Sequence, residues 1–144
     1  MTVDTAEIAR KRAEAMWAGD KASRALGMRI EKVGPGSAAV SMTVTINMVN
    51  GHGTCHGGYI FTLADAAVAL ACNSRSQRHA VQHCTVTFLA PGRLGMRLVA
   101  DARERHRSER SGIYDVTVKS DAGEAIAEFR GRSRAVAGTS VPES

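Results

Sequence analysis

The sequence predicts an α+β domain in which a curved antiparallel sheet wraps around one long central helix. The helix predicted over residues 57–73 is apolar on nearly every side, so it must be surrounded rather than laid on a surface. Roughly six segments have the alternation or the turn signals of antiparallel strands, which is enough to surround it. Small side chains on the helix let the strands approach closely: Ala64, Ala66, Ala67, Ala69 and Ala71.

The other elements follow from periodicity and turn signals. Residues 4–18 have the spacing of an amphipathic helix, which the following Gly-Asp pair ends. Residues 28–45 predict a hairpin that turns at Gly-Pro-Gly, residues 34–36, and residues 47–55 predict a loop. Four more strands are predicted beyond the central helix, over residues 80–89, 96–105, 112–119 and 124–136.

The whole chain, residues 1–144, is expected to form one domain, with a helical extension at 1–23 and a flexible tail at 137–144. Three cysteines are an odd number without the spacing of a disulfide framework, so a reducing, cytoplasmic setting is expected. No signal peptide is expected, because the N-terminal residues lack a continuous apolar stretch. The longest apolar run, residues 59–72, is too short to span a membrane, so no membrane partner is expected.

The charge balance limits the possible partners. A net charge of +5 and a pI of about 9.6 are compatible with a polyanion. The basic residues are dispersed, however, aromatic residues make up only 4% of the chain, and no groove-reading motif is present, so nucleic-acid binding is not expected. A small phosphorylated ligand fits this balance better.

The segment from Asn50 to Asp65 carries most of the chemical information. Its glycine-rich first half ends in His56-Gly57-Gly58, whose backbone N–H groups are expected to point outward at a helix N-terminus. Asp65 is a lone carboxylate within an apolar helix, where burial is costly unless function or pairing requires it. No basic residue lies three or four positions away, so a functional carboxylate is predicted.

A set of short motifs carries a family resemblance: Asn50, His56-Gly57-Gly58, Leu63-Ala64-Asp65, F-L-A-P-G at 88–92 and R-S-G-I-Y-D-V at 110–116. This pattern resembles the hotdog-fold acyl-CoA thioesterases, and most closely the phenylacetate-degradation (PaaI) type. The resemblance covers about residues 24–136. It implies the hotdog fold, acyl-CoA as substrate, aryl or arylacetyl groups such as phenylacetyl and hydroxyphenylacetyl, and homo-oligomers that are commonly tetramers.

The resemblance also implies roles for single residues. The residue matching Asp65 acts in that family as nucleophile or general base, and the one matching Gly57 donates its backbone N–H to the thioester oxygen. The residue matching Asn50 positions substrate or water, and His56 matches the histidine that begins the helix cap. Thioester hydrolysis needs such a donor and such a carboxylate. It needs no metal or organic cofactor, since CoA is part of the substrate.

Helix geometry sets a further expectation. Gly57 and Asp65 are eight residues apart, so on one helix they are separated by ~12 Å along the axis. The donor must lie within ~3 Å of the oxygen and the nucleophile within ~3.5 Å of the carbon. We therefore expect Gly57 of one chain to act with Asp65 of a neighbour, which makes a dimer the smallest catalytic unit.

Other residues are candidates for substrate contact. Gly58, Phe61 and Thr62 lie at the start of the predicted central helix. Phe61, Met48 and Val49 are expected to contribute to the pocket wall.

Two arginines are candidates for the phosphates of coenzyme A. Arg107 and Arg110 lie on a predicted turn between two strands, where exposed guanidinium groups suit phosphate. A solvated hairpin tip is the alternative for each.

Several alternatives remain open at this stage. Asn50 is equally typical of a turn residue that bonds its own backbone, and His56 of a residue that only holds the loop. His52, Cys55 and His56 form a compact H-x-x-C-H motif, but the spacing matches no paired-ligand pattern, so no metal is expected. Cys55, at a helix start, is expected to have a lowered pKa.

Two other functions are compatible with the same pattern. One is a hotdog enoyl-CoA hydratase or dehydratase, although its histidine-aspartate signature is absent. The other is a non-catalytic acyl-CoA-binding protein, against which the joint presence of Asn50, Gly57 and Asp65 argues.

Overall fold

The computed structural model of the protein describes residues 4–139 and contains a six-stranded antiparallel sheet. Its helices are α1 (Thr5–Gly19), α2 (Lys21–Ala25) and α3 (Gly57–Cys72), with a 3-10 turn at Ile46–Met48. Its strands are β1 (Arg29–Gly34), β2 (Ser37–Thr43), β3 (Gln77–Phe88), β4 (Arg97–Arg107), β5 (Ser111–Ser120) and β6 (Ala125–Thr139). The strands lie in the order β1-β2-β4-β5-β6-β3, which leaves β1 and β3 at the edges. Within residues 4–139, no helix combines the length and apolar character that a membrane crossing requires.

The sheet curves around α3, which contacts all six strands. Most of the helix is buried, and so are the inward-facing residues of the central strands, such as Leu98 and Ala100 on β4 and Val116 and Val118 on β5. Alternation along each strand places these side chains on the helix side of the sheet. The α+β class and the central helix predicted from the sequence are therefore confirmed.

The contact between α3 and β6 leaves no room for larger side chains. A Cβ atom at Gly131 of β6 would lie 3.1 Å from Cγ1 of Val68 on α3, which is tighter than ordinary packing contacts. The same constraint, the close approach of the strands to the helix, thus explains both the small side chains of α3 and the glycine on β6.

The junction between α1 and α2 differs from the prediction. Asp20 does end α1, and its backbone N–H donates to the Trp17 carbonyl oxygen at 3.2 Å. Its side chain also starts α2, because Oδ1 accepts from the Ser23 N–H at 3.0 Å and Oδ2 from the Ser23 hydroxyl at 2.7 Å. A helix of five residues is too short to show a periodicity, so α2 was not predicted.

Strand ends also differ from the prediction. β3 begins at Gln77, three residues early, because its start pairs with the end of β6. For the same reason β6 continues to Thr139, so the first residues of the tail predicted over 137–144 belong to a strand. The rest of that tail lies outside the described residues, as do residues 1–3 of the predicted extension.

Arg107, the last residue of β4, closes the C-terminal end of α3. Its Nη1 donates to the Cys72 carbonyl oxygen at 3.1 Å and to the Tyr114 hydroxyl at 3.0 Å. Its Nη2 donates to His79 Nε2 at 3.1 Å, and because a guanidinium has only donors, His79 Nδ1 donates to Ser133 Oγ at 2.9 Å. Burial, and then the charge of Arg107, lowers the pKa of His79. A positive charge is also favourable at a helix C-terminus.

The prediction that Arg107 lies on an exposed turn is therefore wrong. The turn between β4 and β5 comprises residues 108–110, where Arg110 is exposed, whereas the Arg107 guanidinium is held against α3. A bulge between Glu104 and His106 shifts the alternation of β4, which a simple strand pattern does not anticipate.

Arg107→Leu is expected to lower the free energy of unfolding by about 1–3 kcal/mol, because the Cys72 carbonyl and the Tyr114 hydroxyl lose a charged donor. For a domain of this size the melting temperature should fall by roughly 2–4 °C per kcal/mol, measured by differential scanning calorimetry. Arg110→Leu is the matched control, since the Arg110 side chain forms no hydrogen bond within residues 4–139. Equal melting temperatures of the two variants would contradict this account of the network.

Candidate active site

Asp65 faces a cavity of about 960 Å³. Asp65, Ala69 and Asn73 are spaced four residues apart, so they line the cavity from one face of α3. Residues of α1 form a second wall, and residues 78–84 at the start of β3 form a third. The Asp65 carboxylate is partly buried, and it forms no hydrogen bond or ion pair with any residue of the range 4–139.

Two effects raise the pKa of Asp65. Burial is the larger, because it disfavours the charged form, and the negative charge of Asp20 adds to it. A carboxylate with a raised pKa is a better base and a better nucleophile than one in water. Asp20 reaches this site from the junction of α1 and α2. Sequence reasoning missed it because only the packing of α1 against the body of the protein brings the two carboxylates near each other.

The cysteines of the chain do not form a nucleophilic site. Cys84 lines the Asp65 cavity, where burial raises its pKa and the charge of Asp65 raises it further. Burial also raises the pKa of Cys72 to about 12. The prediction of a lowered pKa for Cys55 is wrong, because burial raises the pKa of this thiol. Its Sγ donates to the His56 carbonyl oxygen at 3.4 Å. The three thiols therefore stay protonated at neutral pH.

Gly57 begins α3 and lines a different cavity, of about 450 Å³. The backbone N–H groups of Gly57 and Gly58 donate to no acceptor within residues 4–139, as expected for the first turn of a helix. The ring of Phe88 packs over Gly57, and a Cβ at position 57 would lie 2.7 Å from Phe88 Cζ. A larger residue at position 57 would therefore require the Phe88 ring to shift.

Asn50 and His56, both predicted to be catalytic, have different surroundings in the structure. Asn50 Oδ1 accepts from the His52 N–H at 2.9 Å, the Thr54 N–H at 3.2 Å and the Thr54 hydroxyl at 3.1 Å, which is a turn-forming role. Its amide nitrogen donates to no residue of the range 4–139 and stays available. His56 is exposed and caps α3 without a side-chain hydrogen bond, while its N–H donates to the Met48 carbonyl oxygen at 2.8 Å.

Of the residues predicted for substrate contact at the start of α3, Phe61 is the one that lines the Asp65 cavity. Its ring packs edge to face on Phe129, with the centroids 5.1 Å apart. The Thr62 hydroxyl donates to the Gly58 carbonyl oxygen at 2.8 Å, so it is engaged by the helix backbone.

The remaining predicted contact residues lie away from this cavity. Met48 is buried and lines a separate cavity of about 230 Å³ beside Tyr59. Val49 forms an isolated β-bridge with Cys55. Arg110 is exposed on the turn after β4. A pocket wall assembled from distant segments leaves no local signal, which is why sequence reasoning assigned it to neighbouring residues instead.

Gly57 and Asp65 therefore line different cavities of one chain, as their separation along the helix predicts. The side chains of β3 give a second observation. The consecutive residues 78–84 all line the Asp65 cavity, and two register shifts in this stretch, between Gln77 and His79 and between Val81 and His83, interrupt the usual alternation of the strand. The cavity thus lies along the free edge of the sheet. Within residues 4–139, no three or more His, Cys, Asp or Glu side chains are grouped so that they could hold a metal ion.

Comparison with known proteins gives the family of the chain. The model of the Thioesterase superfamily matches residues 52–127. Acyl-coenzyme A thioesterase PaaI of Escherichia coli is 42% identical over 132 residues, which cover 92% of this chain and 94% of that protein. The structure of E. coli PaaI matches with a TM-score of 0.93 at 41% identity, covering 94% of this chain and 99% of that chain.

Two further structures are similar over most of the chain. A mutant of the phenylacetic acid degradation protein PaaI from Thermus thermophilus matches with a TM-score of 0.78 at 35% identity, over 81% of this chain and 100% of that chain. A Streptococcus mutans protein bound to acetyl CoA matches with a TM-score of 0.74 at 27% identity, over 78% of this chain and 90% of that chain. The chain therefore belongs to the thioesterase superfamily and has the hotdog fold.

Proposed function

We propose that the chain hydrolyses aryl and arylacetyl esters of CoA, phenylacetyl-CoA among them, to the free acid and CoA. The name of E. coli PaaI supports acyl-CoA as the substrate class, and the S. mutans relative holds acetyl CoA. The preference for aryl groups is supported by two similar proteins: E. coli PaaI comes from a phenylacetic acid degradation operon, and T. thermophilus PaaI is a phenylacetic acid degradation protein. The observation that carries the proposal is Asp65, a partly buried carboxylate that faces a large cavity and has no hydrogen-bond partner among residues 4–139.

In this mechanism the Gly57 N–H donates to the thioester oxygen and stabilises the charge that develops there. Asp65 either attacks the carbonyl carbon, giving an anhydride that water then hydrolyses, or removes a proton from an attacking water. In both routes the C–S bond breaks and CoA leaves as the thiolate. The thiolate then takes up a proton. The free amide of Asn50 positions substrate or water, and His56 holds the start of α3.

No step of this mechanism requires a metal or an organic cofactor. The oriented amide and the desolvated carboxylate supply the electrophilic and nucleophilic parts, and CoA enters as part of the substrate. Exposed arginines such as Arg110 are available for the CoA phosphates. Three free cysteines support a cytoplasmic setting.

The active site is proposed to lie between two copies of the chain. The ~12 Å along α3 between Gly57 and Asp65 is too long for one thioester carbonyl to contact both. β3 is a free edge strand beside the Asp65 cavity, and an edge strand offers unpaired backbone groups to a second copy. Near Gly57, Phe88 and Leu89 are 50% and 53% exposed, which suits a covered surface. Two such dimers form the tetramer expected from the family resemblance.

Asp65→Asn is expected to lower kcat by at least about 100-fold, measured as thiol release from phenylacetyl-CoA. The same variant should melt at a higher temperature than the wild type at neutral pH. The raised pKa means that the folded chain binds this proton more tightly than the unfolded chain, so ionisation of Asp65 destabilises the fold as the pH rises. The difference in melting temperature should close as the pH falls towards 3.8, the ordinary pKa.

Glu109→Gln, which removes an exposed carboxylate from the turn after β4, is the control and should keep full activity. No thiol release by the wild type from any aryl, medium-chain or short-chain acyl-CoA would overturn the proposed function. Addition of water to an enoyl-CoA in its place would favour the hydratase.

The pH profile tests the charge on Asp65. Because the ionised carboxylate is the active form, kcat/KM is expected to fall as the pH drops through its raised pKa. Asp20→Asn removes the neighbouring charge, so the acid limb should move to lower pH, while the Asn oxygen can still accept from the Ser23 N–H. Asp121→Asn removes an exposed carboxylate on the turn after β5 and should leave the limb in place. An unmoved limb in Asp20→Asn would contradict this assignment.

Mixing two inactive variants distinguishes a shared site from one built within a chain. Gly57→Pro removes the N–H donor at a helix position that accepts proline, and Gly57→Ala controls for added bulk against Phe88. In a mixed dimer with Asp65→Asn, one site combines an intact Gly57 with an intact Asp65. Refolding the mixture is expected to restore about one quarter of wild-type activity. If both groups acted within one chain, no activity would return.

A further inference from the structure

The C-terminal half of α1 borders the cavity that holds Asp65. Ala15, Met16 and Gly19 all line it, and their spacing of one, three and four residues places them on one side of the helix. Phe61 and Asp65 of α3 line the same cavity. α1 and α3 thus form two of its walls.

Two of the three α1 residues that line the cavity have small side chains. Ala15 carries a single methyl group and Gly19 none, and a Cβ built at Gly19 would meet no atom within 4 Å. A larger side chain at position 19 would therefore enter open space beside the cavity, and because Ala15 lines the cavity, a larger side chain there is expected to reduce it. The volume of about 960 Å³ is at the upper end of the range of small-molecule sites.

The two walls have few polar side chains near the carboxylate. None of the three α1 residues that line the cavity has a polar side chain, and Phe61 and Ala69 flank Asp65 along α3. Polar lining residues come mainly from β3, among them Arg78 and Gln82. An aromatic group placed between Met16 and Phe61 would bury its faces against a thioether and a ring, which are favourable contacts for it.

The position of α1 is fixed by contacts outside the cavity. Ala9 and Ala13 are buried on its inner side, and Arg12 Nη1 donates to the Arg75 carbonyl oxygen at 2.6 Å. The family match, residues 52–127, begins after α1, so this wall lies outside the region that defines the family.

We propose that α1 is a specificity-determining wall of the acyl-binding cavity, in which Ala15 and Gly19 leave the space that a bulky acyl group occupies beside Asp65. The inference rests on the proposed function, because it assigns this cavity to the acyl group. It predicts that the size of residues 15 and 19 sets the ratio of activity on large to activity on small acyl groups.

The test compares Gly19→Leu and Ala15→Leu with Ala18→Leu, a control that adds the same side chain to an exposed position of the same helix. For each variant kcat/KM is measured with phenylacetyl-CoA and acetyl-CoA. The ratio of the two values is expected to fall at least about tenfold in both cavity variants and to stay at the wild-type value in the control. Melting temperatures verify that each variant is folded, and the two cavity variants serve as alternatives if one of them is unstable.

A binding measurement separates this inference from the proposed reaction. Hydrolysis-resistant thioether analogues, phenylacetonyl-CoA and acetonyl-CoA, are titrated calorimetrically into the same proteins. Selective weakening of the phenylacetonyl analogue in the cavity variants supports the wall even if the wild type hydrolyses neither ester, which would overturn only the proposed reaction. An unchanged selectivity of folded Gly19→Leu and Ala15→Leu, in hydrolysis or in binding, would overturn the assignment of α1.

Discussion

The structure depends on the enclosure of α3 by a single curved sheet. A helix in contact with six strands can carry only small or closely fitting side chains on the enclosed sides, and this accounts for its alanines and for Gly131 facing Val68. A charge could not be accommodated there without a partner. Asp65 lies instead on the side that the sheet leaves uncovered, where α1 and the edge of β3 bound an open cavity. Close packing around the enclosed sides of α3 thus restricts the carboxylate to the side that the sheet leaves uncovered.

The backbone groups at the two ends of α3 differ in their hydrogen bonding, and the difference suits the proposed chemistry. At the C-terminal end the charged donor Arg107 binds the last carbonyl, and its other contacts to Tyr114 and His79 fix it in place. At the N-terminal end the amides of Gly57 and Gly58 have no partner within residues 4–139. Unpaired N–H groups at a helix N-terminus favour a negatively charged or partly negative oxygen, so this end is the one that gains from a ligand oxygen.

The sequence was sufficient for features that depend on local pattern. The apolar helix, its lone carboxylate and the alternation of the strands predicted the fold class, and the spacing of Gly57 and Asp65 predicted that one chain does not bring them together. It was not sufficient where distant segments meet. Arg107 belongs to the end of β4 and not to the turn predicted for it, and the walls around Asp65 come from α1 and β3. Burial overrode the helix-terminus effect expected for Cys55.

The packing of Phe88 on Gly57 bears on how sequence variation in relatives is interpreted. With a ring in this position, any side chain at 57 meets a steric obstacle before chemistry is considered. A glycine at this site would satisfy two separate requirements, packing and the proposed amide contact, so its presence in a homologue is not by itself a sign of retained catalysis. Homologues in which the aromatic residue at the position of Phe88 has been replaced by a smaller one are the informative cases, because in them only the requirement for an accessible amide still acts on the glycine.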